Sequence, residues 1–373
     1  MSLTIIILLL VGFALLVGGA ELLVRGASRL AVAVGISPLI VGLTIVSLGT
    51  SAPEISVSLD AAMRGQGDLA IGNVVGSNTF NILFSLGLAA VITPLVVDRR
   101  LVRREVPIMI AAGIALLLLT IDGSLDRFDG AVLFAGLVAF LAYMLRSAKK
   151  EVAAPSAPDV AGPPVKGARG RIVDVALIVV GLALLALGSQ WLVDGASQLA
   201  RVFGVSELVI GLTVVAAGTG LPEVATSVVA ALRGQRDIAV GNAVGSNVFN
   251  ILAVLGITGL IAPGVEVAPA ALNFDIPVMV VTLLLTVPIF FSGLRISRLE
   301  GLLFVSLYVA YVAYIVLDAR GHDALPAFSG MMMLGVLPAA TIVVAVTTLH
   351  SVISHRRTRR RVDQSAQVTS TSA

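Results

Sequence analysis

Two glutamates in apolar surroundings are the residues of this chain best suited to chemistry. Glu54 ends the run Gly49-Thr50-Ser51-Ala52-Pro53-Glu54, and Glu223 ends Gly218-Thr219-Gly220-Leu221-Pro222-Glu223. A carboxylate near a bilayer centre costs about 2.5–3.5 kcal/mol or more, so it faces a protein interior or a wet cavity. The repeats that carry these two offer no intramembrane lysine or arginine partner, so another cation is needed. Oxygen donors surround both positions. Gly72-Asn73-x-x-Gly76-Ser77-Asn78-x-Phe80-Asn81 returns as Gly241-Asn242-x-x-Gly245-Ser246-Asn247-x-Phe249-Asn250. Ser77 and Asn81 share one helical face, as do Ser246 and Asn250. Two carboxylates neutralise one Ca²⁺, whose flexible, all-oxygen coordination this donor set suits; Mg²⁺ sheds water reluctantly and demands tighter geometry. Released from Ca²⁺, the same oxygens could hold two or three Na⁺, or the carboxylates could take protons.

The backbone beside each glutamate is set to break. Proline removes an amide donor and crowds the carbonyl four residues back, and glycine loosens the turn. Carbonyls at Ser47–Thr50 and Ala216–Thr219 are then expected to turn toward a cation, beside the Thr50, Ser51 and Thr219 hydroxyls. Irregular backbone at membrane depth is tolerated only where it is buried or lines a cavity. Asn73, Asn78, Asn242 and Asn247 are open to two readings, as ligands or as caps on the freed backbone. Gly72/Gly76 and Gly241/Gly245 have the spacing that lets helices approach closely.

These motifs belong to two copies of one block. Shifted by 169 residues, 42–90 and 211–259 align without a gap and agree at 28 of 49 positions. Spans of roughly 20 apolar residues are predicted near 3–24, 38–62, 69–92, 106–121, 128–146, 172–192, 207–232, 238–262, 273–292, 298–318 and 327–349. Residues 1–150 then form a first half and 171–320 a second, joined by a Pro- and Ala-rich linker at 151–170. An additional helix at 327–349 and a basic, polar tail at 350–373 follow. Five spans per half invert the second copy, the plan of many secondary transporters. The fold class predicted is therefore an all-α polytopic membrane protein of two inverted five-helix repeats plus an eleventh helix.

With 57% hydrophobic and 13% charged residues and a mean hydropathy of +1.03, the chain cannot be an ordinary soluble domain, which carries about 25% charged residues. On the predicted topology, 21 of the 25 Lys and Arg fall on the side of the linker and tail, and only Arg64, Arg127, Arg201 and Arg320 on the other. That asymmetry predicts a multi-pass plasma (inner) membrane protein with the N-terminus outside and the C-terminus cytoplasmic. The basic residues lie in short loops between apolar spans, so a nucleic-acid partner is not expected; the lipid bilayer is. Absence of cysteine excludes disulfides and thiolate metal sites. The three histidines lie outside the repeats, and no prosthetic group is expected. Asp60 reads as a solvated helix end, and the acids of Glu105-x-Pro107 and Asp275-x-Pro277 read as ordinary helix caps.

The twin GTSxPE…GNxxGSNxFNI blocks resemble the α-repeats of the sodium/calcium exchanger family, within the cation/calcium antiporter superfamily, over roughly residues 1–318. The resemblance implies a cation site with Glu54 and Glu223 as principal carboxylates. Thr50, Ser51, Ser77 and Asn81 would join from one half, and Thr219, Ser246 and Asn250 from the other. Carbonyls at Ser47 and Ala216 would add oxygens. Three departures stand out. Gly220 occupies a position where the family commonly has serine. Asn250 replaces an aspartate of several sodium-coupled members, which argues against potassium dependence. The eleventh helix lies outside the ten-helix core.

The expected function is exchange of Ca²⁺ for Na⁺ by alternating access, exporting Ca²⁺ from the cytoplasm, with a monomer sufficient for transport. Coupling to H⁺ is the alternative, because Glu, Asn and hydroxyls serve both ions. Two inequivalent inverted copies argue against a channel with oligomeric rings of carboxylates. An intramembrane hydrolase is disfavoured by the lack of a metal-binding His motif.

Overall fold

A computed structural model of the chain describes residues 3–148, 168–205, 207–262, 264–291, 293–338 and 341–342. The linker, the basic tail and most of the expected eleventh span lie outside the described residues. Helices follow the apolar runs. The first half contains α1 (Leu3–Val34), α2 (Pro38–Thr50), α3 (Ala52–Met63), α4 (Gly67–Ile92), α5 (Arg99–Arg103), α6 (Glu105–Leu119) and α7 (Arg127–Ala148). The second contains α8 (Ala168–Val202), α9 (207–218), α10 (Leu221–Leu232), α11 (Arg236–Ile261), α12 (Ala271–Phe291) and α13 (Arg298–Ala319). A further short helix, α14 (Leu325–Gly335), follows.

Among the described residues, seven helices are long and apolar enough to cross a membrane, or eight with the bent pair α2 and α3 taken as one span. Eleven were predicted from the sequence. The difference has identifiable causes. The run 207–232 is interrupted between α9 and α10, α6 is only 15 residues long, and the last predicted span is described only in part. The outer surface is apolar: Phe13, Leu118, Val138, Val179, Val281 and Val309 are exposed. A bilayer requires that arrangement, because lipid tails are the solvent there.

Inversion of the halves is visible in α1 and α8, which are copies of each other and run antiparallel. A Cβ on Gly12 would lie 2.8 Å from the Leu192 nitrogen, one on Gly19 2.7 Å from the Leu185 nitrogen, and one on Gly26 2.7 Å from the Asp174 carbonyl. As numbers rise along one helix they fall along the other. Gly181 and Gly188, the copies of Gly12 and Gly19, meet the first helix in the reciprocal way. Only a missing side chain allows backbones to approach this closely.

The fold is not purely helical. Two minimal antiparallel strand pairs join the halves: β1 (Leu95–Val96) with β4 (Arg295–Ile296), and β2 (Ser124–Leu125) with β3 (Val265–Glu266). In the repeat, β1 corresponds to β3 and β2 to β4, so each pair joins unlike elements of opposite halves, as a pseudo-two-fold axis demands. Inside, α4 and α11 are the most buried spans. Ile71, Val74, Val75 and Leu86 of one, and Val240, Val244, Val248 and Leu255 of the other, are inaccessible to solvent or nearly so.

Candidate cation site

The site is built where both copies depart from regular α-helix. Short π-helical stretches begin at Gly42 and Gly211, and again at Asn81 and Asn250, each pair separated by the repeat offset. Such bulges are rare and often mark functional positions. They place the two asparagines at the start of a widened turn inside α4 and α11. The Pro53 break bends α3 by 42° from α2, and Glu54 and Glu223 sit in the first turns of α3 and α10.

Both glutamates are fully buried, and none of their four carboxylate oxygens has a hydrogen-bond partner of good geometry, although the Thr50 hydroxyl bears on Glu223. They lie within electrostatic reach of each other. Around them the Ser51 and Thr219 hydroxyls and both side-chain polar atoms of Asn81 and of Asn250 are also buried without partners. Native proteins leave few such groups, and a cluster of them calls for water or an ion. Among the described residues no three acidic or histidine side chains gather, so the donor set is two carboxylates with neutral oxygens. That set fits a hard cation of one or two charges.

Contacts across the halves close one side of the cluster. The Thr50 hydroxyl lies 3.4 Å from the Ser246 hydroxyl and donates to Oδ1 of Asn242 at 3.3 Å. Ser47 donates to the Gly42 carbonyl at 2.6 Å and lies 3.1 Å from the Asn242 carbonyl. The Ser47 carbonyl is not freed as expected. It accepts the Ser51 amide at 2.9 Å and lies 3.3 Å from the Thr50 hydroxyl, because the helix continues through Thr50 and breaks only at Ser51. The Gly218 carbonyl, which loses its amide partner at Pro222, accepts the Ser189 hydroxyl at 2.5 Å. Ala216 opens the last turn of α9 before its break, and Ser77 is buried on α4.

Asn73 and Asn242 act as staples within each half. Asn73 donates to Ser58 at 2.9 Å and Asn242 to Ser227 at 3.3 Å, so each ties its long span to the helix that carries the glutamate. Ser58 and Ser227 were not singled out from the sequence, although both stand four residues after the glutamate and are identical in the two copies. Glu105 and Asp275 are not caps. Tyr143 donates to Glu105 at 2.8 Å and Tyr311 to Asp275 at 3.0 Å, a matched tie in each half. Asp60 pairs with Arg64 at an exposed helix end, as anticipated.

The two ends of the site differ. Gly241 and Gly245 press against the backbone of α2, with Cβ positions 3.0 Å and 2.8 Å from the Leu39 and Leu43 carbonyls. Their copies Gly72 and Gly76 face open space. Likewise Thr226 of α10 is fully buried while its copy Val57 of α3 is 39% exposed. A cleft of about 350 Å³ runs between Gly49, Thr50, Pro53 and Ser56 on one wall and Leu182, Leu185 and Ala186 on the other. The loosened elements, α3 and α9, occupy the Arg64 end. At the Arg233 end, α1 packs on α10 and Glu21 takes Arg233 in a two-pronged ion pair, with both contacts at 2.9 Å.

Comparison with known proteins agrees with this architecture. The model of the sodium/calcium exchanger protein family matches residues 4–146 and 173–317, one stretch in each half. The chain belongs to the sodium/calcium exchanger family. It is therefore a multi-pass membrane protein and a cation/calcium antiporter. Within the family it is 42% identical over 313 residues to the candidate antiporter CaxA of Alkalimonas amylolytica, covering 82% of this chain and 96% of that one. It is 39% identical over 274 residues to the inner membrane protein YrbG of Escherichia coli, covering 73% and 84%. Among solved structures it resembles that of the sodium-calcium exchanger NCX_Mj soaked without Na⁺ and Ca²⁺, with a TM-score of 0.72 and 31% identity. That match covers 84% of this chain and 99% of the other.

Proposed function

We propose that this antiporter exchanges Ca²⁺ for Na⁺ at the Glu54–Glu223 site by alternating access. The observation that carries the reading is the pair of fully buried carboxylates with no hydrogen bond of good geometry to the protein, ringed by unpartnered Asn, Ser and Thr oxygens. Glu54 and Glu223 supply the charge that balances Ca²⁺. Thr50, Ser51, Ser77 and Asn81, with Thr219, Ser246 and Asn250, supply neutral oxygens, and the Ala216 carbonyl completes the set, while the Ser47 carbonyl stays bonded within its helix. A relative 29% identical over 344 residues, from Methanosarcina acetivorans, carries the name sodium/calcium exchanger MaX1, and the NCX_Mj structures include soaks with Na⁺, Ca²⁺ and Sr²⁺.

Alternation follows from the inverted halves. In this structure the Arg64 end is open and the Arg233 end closed. Exchanging the packing of equivalent elements would close the first and open the second. A ligand biases that equilibrium only through unequal affinity for the two arrangements. A site with both carboxylates ionised and no bound ion carries buried charge that disfavours crossing, and bound Ca²⁺ or Na⁺ neutralises it. The Lys and Arg count supports a cytoplasmic Arg233 end in an inner membrane, with the open end facing outward.

The deciding experiment is ⁴⁵Ca²⁺ uptake into proteoliposomes with Na⁺ and H⁺ gradients imposed separately. An outward Na⁺ gradient alone is expected to drive uptake. Uptake driven only by the H⁺ gradient would transfer the same site to Ca²⁺/H⁺ exchange.

A further inference from the structure

We propose that Thr226 and Ser85 form a subsite for a monovalent hard cation, Na⁺ in the exchange cycle, one helical turn from the glutamates on the Arg233 side only. The inference rests on the reading of the site as a Ca²⁺/Na⁺ site and extends it. Thr226 follows Glu223 by three residues on α10, and Ser85 follows Asn81 by four on α4, so each continues the face of a site residue by one turn. The register of the two helices brings them level. A Cβ on Gly220 would overlap the Phe80 ring, and from that contact α10 runs alongside the 81–92 stretch of α4. Ser227 is turned toward α11, where Asn242 donates to it. Thr226, about 100° round the helix, lies in the middle of the buried face of α10, between Ser227 and Ala230 on one side and Pro222 and Val229 on the other, and the 81–92 stretch of α4 packs on α10.

Both hydroxyls are fully buried and without a hydrogen-bond partner. Several other helical threonines of this chain satisfy their hydroxyls locally. Thr44, Thr79, Thr120 and Thr213 each donate to the carbonyl four residues back. Ser85 and Thr226 make no such bond and keep their oxygens available. Two neutral hydroxyls carry no charge to balance a divalent ion, whereas an alkali cation passing to or from Glu223 needs only oxygens in place of water. The pair is one-sided: the copies of Thr226 and Ser85 in the other half of the site are Val57 and Val254. The pathway toward Arg233 therefore has a pair of buried hydroxyls at the level where the pathway toward Arg64 has two valines.

The test replaces Thr226 and Ser85, singly and together, by the valine of the opposite copy in the full-length protein, with Thr226→Ala and Ser85→Ala as lighter alternatives should valine impair folding. Equilibrium ⁴⁵Ca²⁺ binding in detergent is measured with and without increasing Na⁺. The Ca²⁺ affinity without Na⁺ should change less than about twofold, and the Na⁺ needed to displace half the Ca²⁺ should rise about fivefold or more in the double variant, the scale of one lost neutral contact. Thr226→Ser should retain the wild-type value. Na⁺ that displaces Ca²⁺ from wild type and double variant equally well overturns the subsite alone. Na⁺ that displaces none from wild type overturns the Na⁺ reading, and the subsite with it.

Discussion

The Thr50 hydroxyl lies 3.4 Å from that of Ser246, so residues 196 positions apart in the chain meet beside the two buried glutamates. This contact joins the broken helix of one half to the long span of the other. Its mirror image is not formed, since the Thr219 hydroxyl has no partner. Removing the Thr50 oxygen with Thr50→Val should weaken Ca²⁺ binding about tenfold, and Ser246→Ala should do less. Equilibrium ⁴⁵Ca²⁺ binding measures both, and an unchanged affinity in Thr50→Val would remove Thr50 from the ligand set.

Glu54→Gln and Glu223→Gln should each abolish exchange, because one remaining carboxylate cannot balance Ca²⁺. Both variants should still fold, since neither carboxylate makes a hydrogen bond of good geometry to the protein and glutamine has nearly the same size and shape. Ca²⁺ should raise the melting temperature of wild type and not of the variants, as expected when a ligand binds only the folded state. Full flux in either variant would refute the site.

Gly220→Ser adds no usable ligand here. The side chain would run into the Phe80 ring, which occupies that space. Overpacking of this kind costs about 1–3 kcal/mol, seen as a melting point several degrees lower and reduced transport. Trimming the ring in Gly220→Ser/Phe80→Ala should recover part of both, and a single variant as stable as wild type would show that the ring yields.

Glu21→Gln should loosen the closed end. The Glu21–Arg233 pair is partly exposed, and such pairs contribute about 0–1 kcal/mol, so the shift in population is at most about fivefold. The chain has no cysteine, so a single Ala225→Cys on the covered face of α10 can report opening by its rate of thiol labelling. The Glu21→Gln background should label faster, and equal rates would exclude the ion pair as a latch. The opposite end has Gln190 where Glu21 would be repeated, and Arg64 pairs with Asp60 on its own helix.

Gly19→Ala should destabilise the α1–α8 pair. Its Cβ would sit 2.7 Å from a backbone nitrogen and 2.8 Å from a carbonyl oxygen, and backbone cannot swing aside as a side chain can. A melting point unchanged from wild type would argue against the close packing.

The sequence by itself determined the membrane class, the two copies and their inversion, and the two intramembrane glutamates with their neighbouring polar residues. These are properties of composition, periodicity and repetition, which are local or follow from counting spans. The tertiary structure alone decided what meets across the repeat. Thr50 with Ser246, Gly220 under Phe80, Glu105 with Tyr143 and Glu21 with Arg233 are pairings of residues far apart in the chain, and no local pattern encodes them. It also decided which end is open. Two copies that agree at 28 of 49 positions specify two related packings, and the motifs that mark the site are shared by both. The relative placement of α1 and α8 against α3 and α10 tells which one is formed, and that placement is a property of the folded whole.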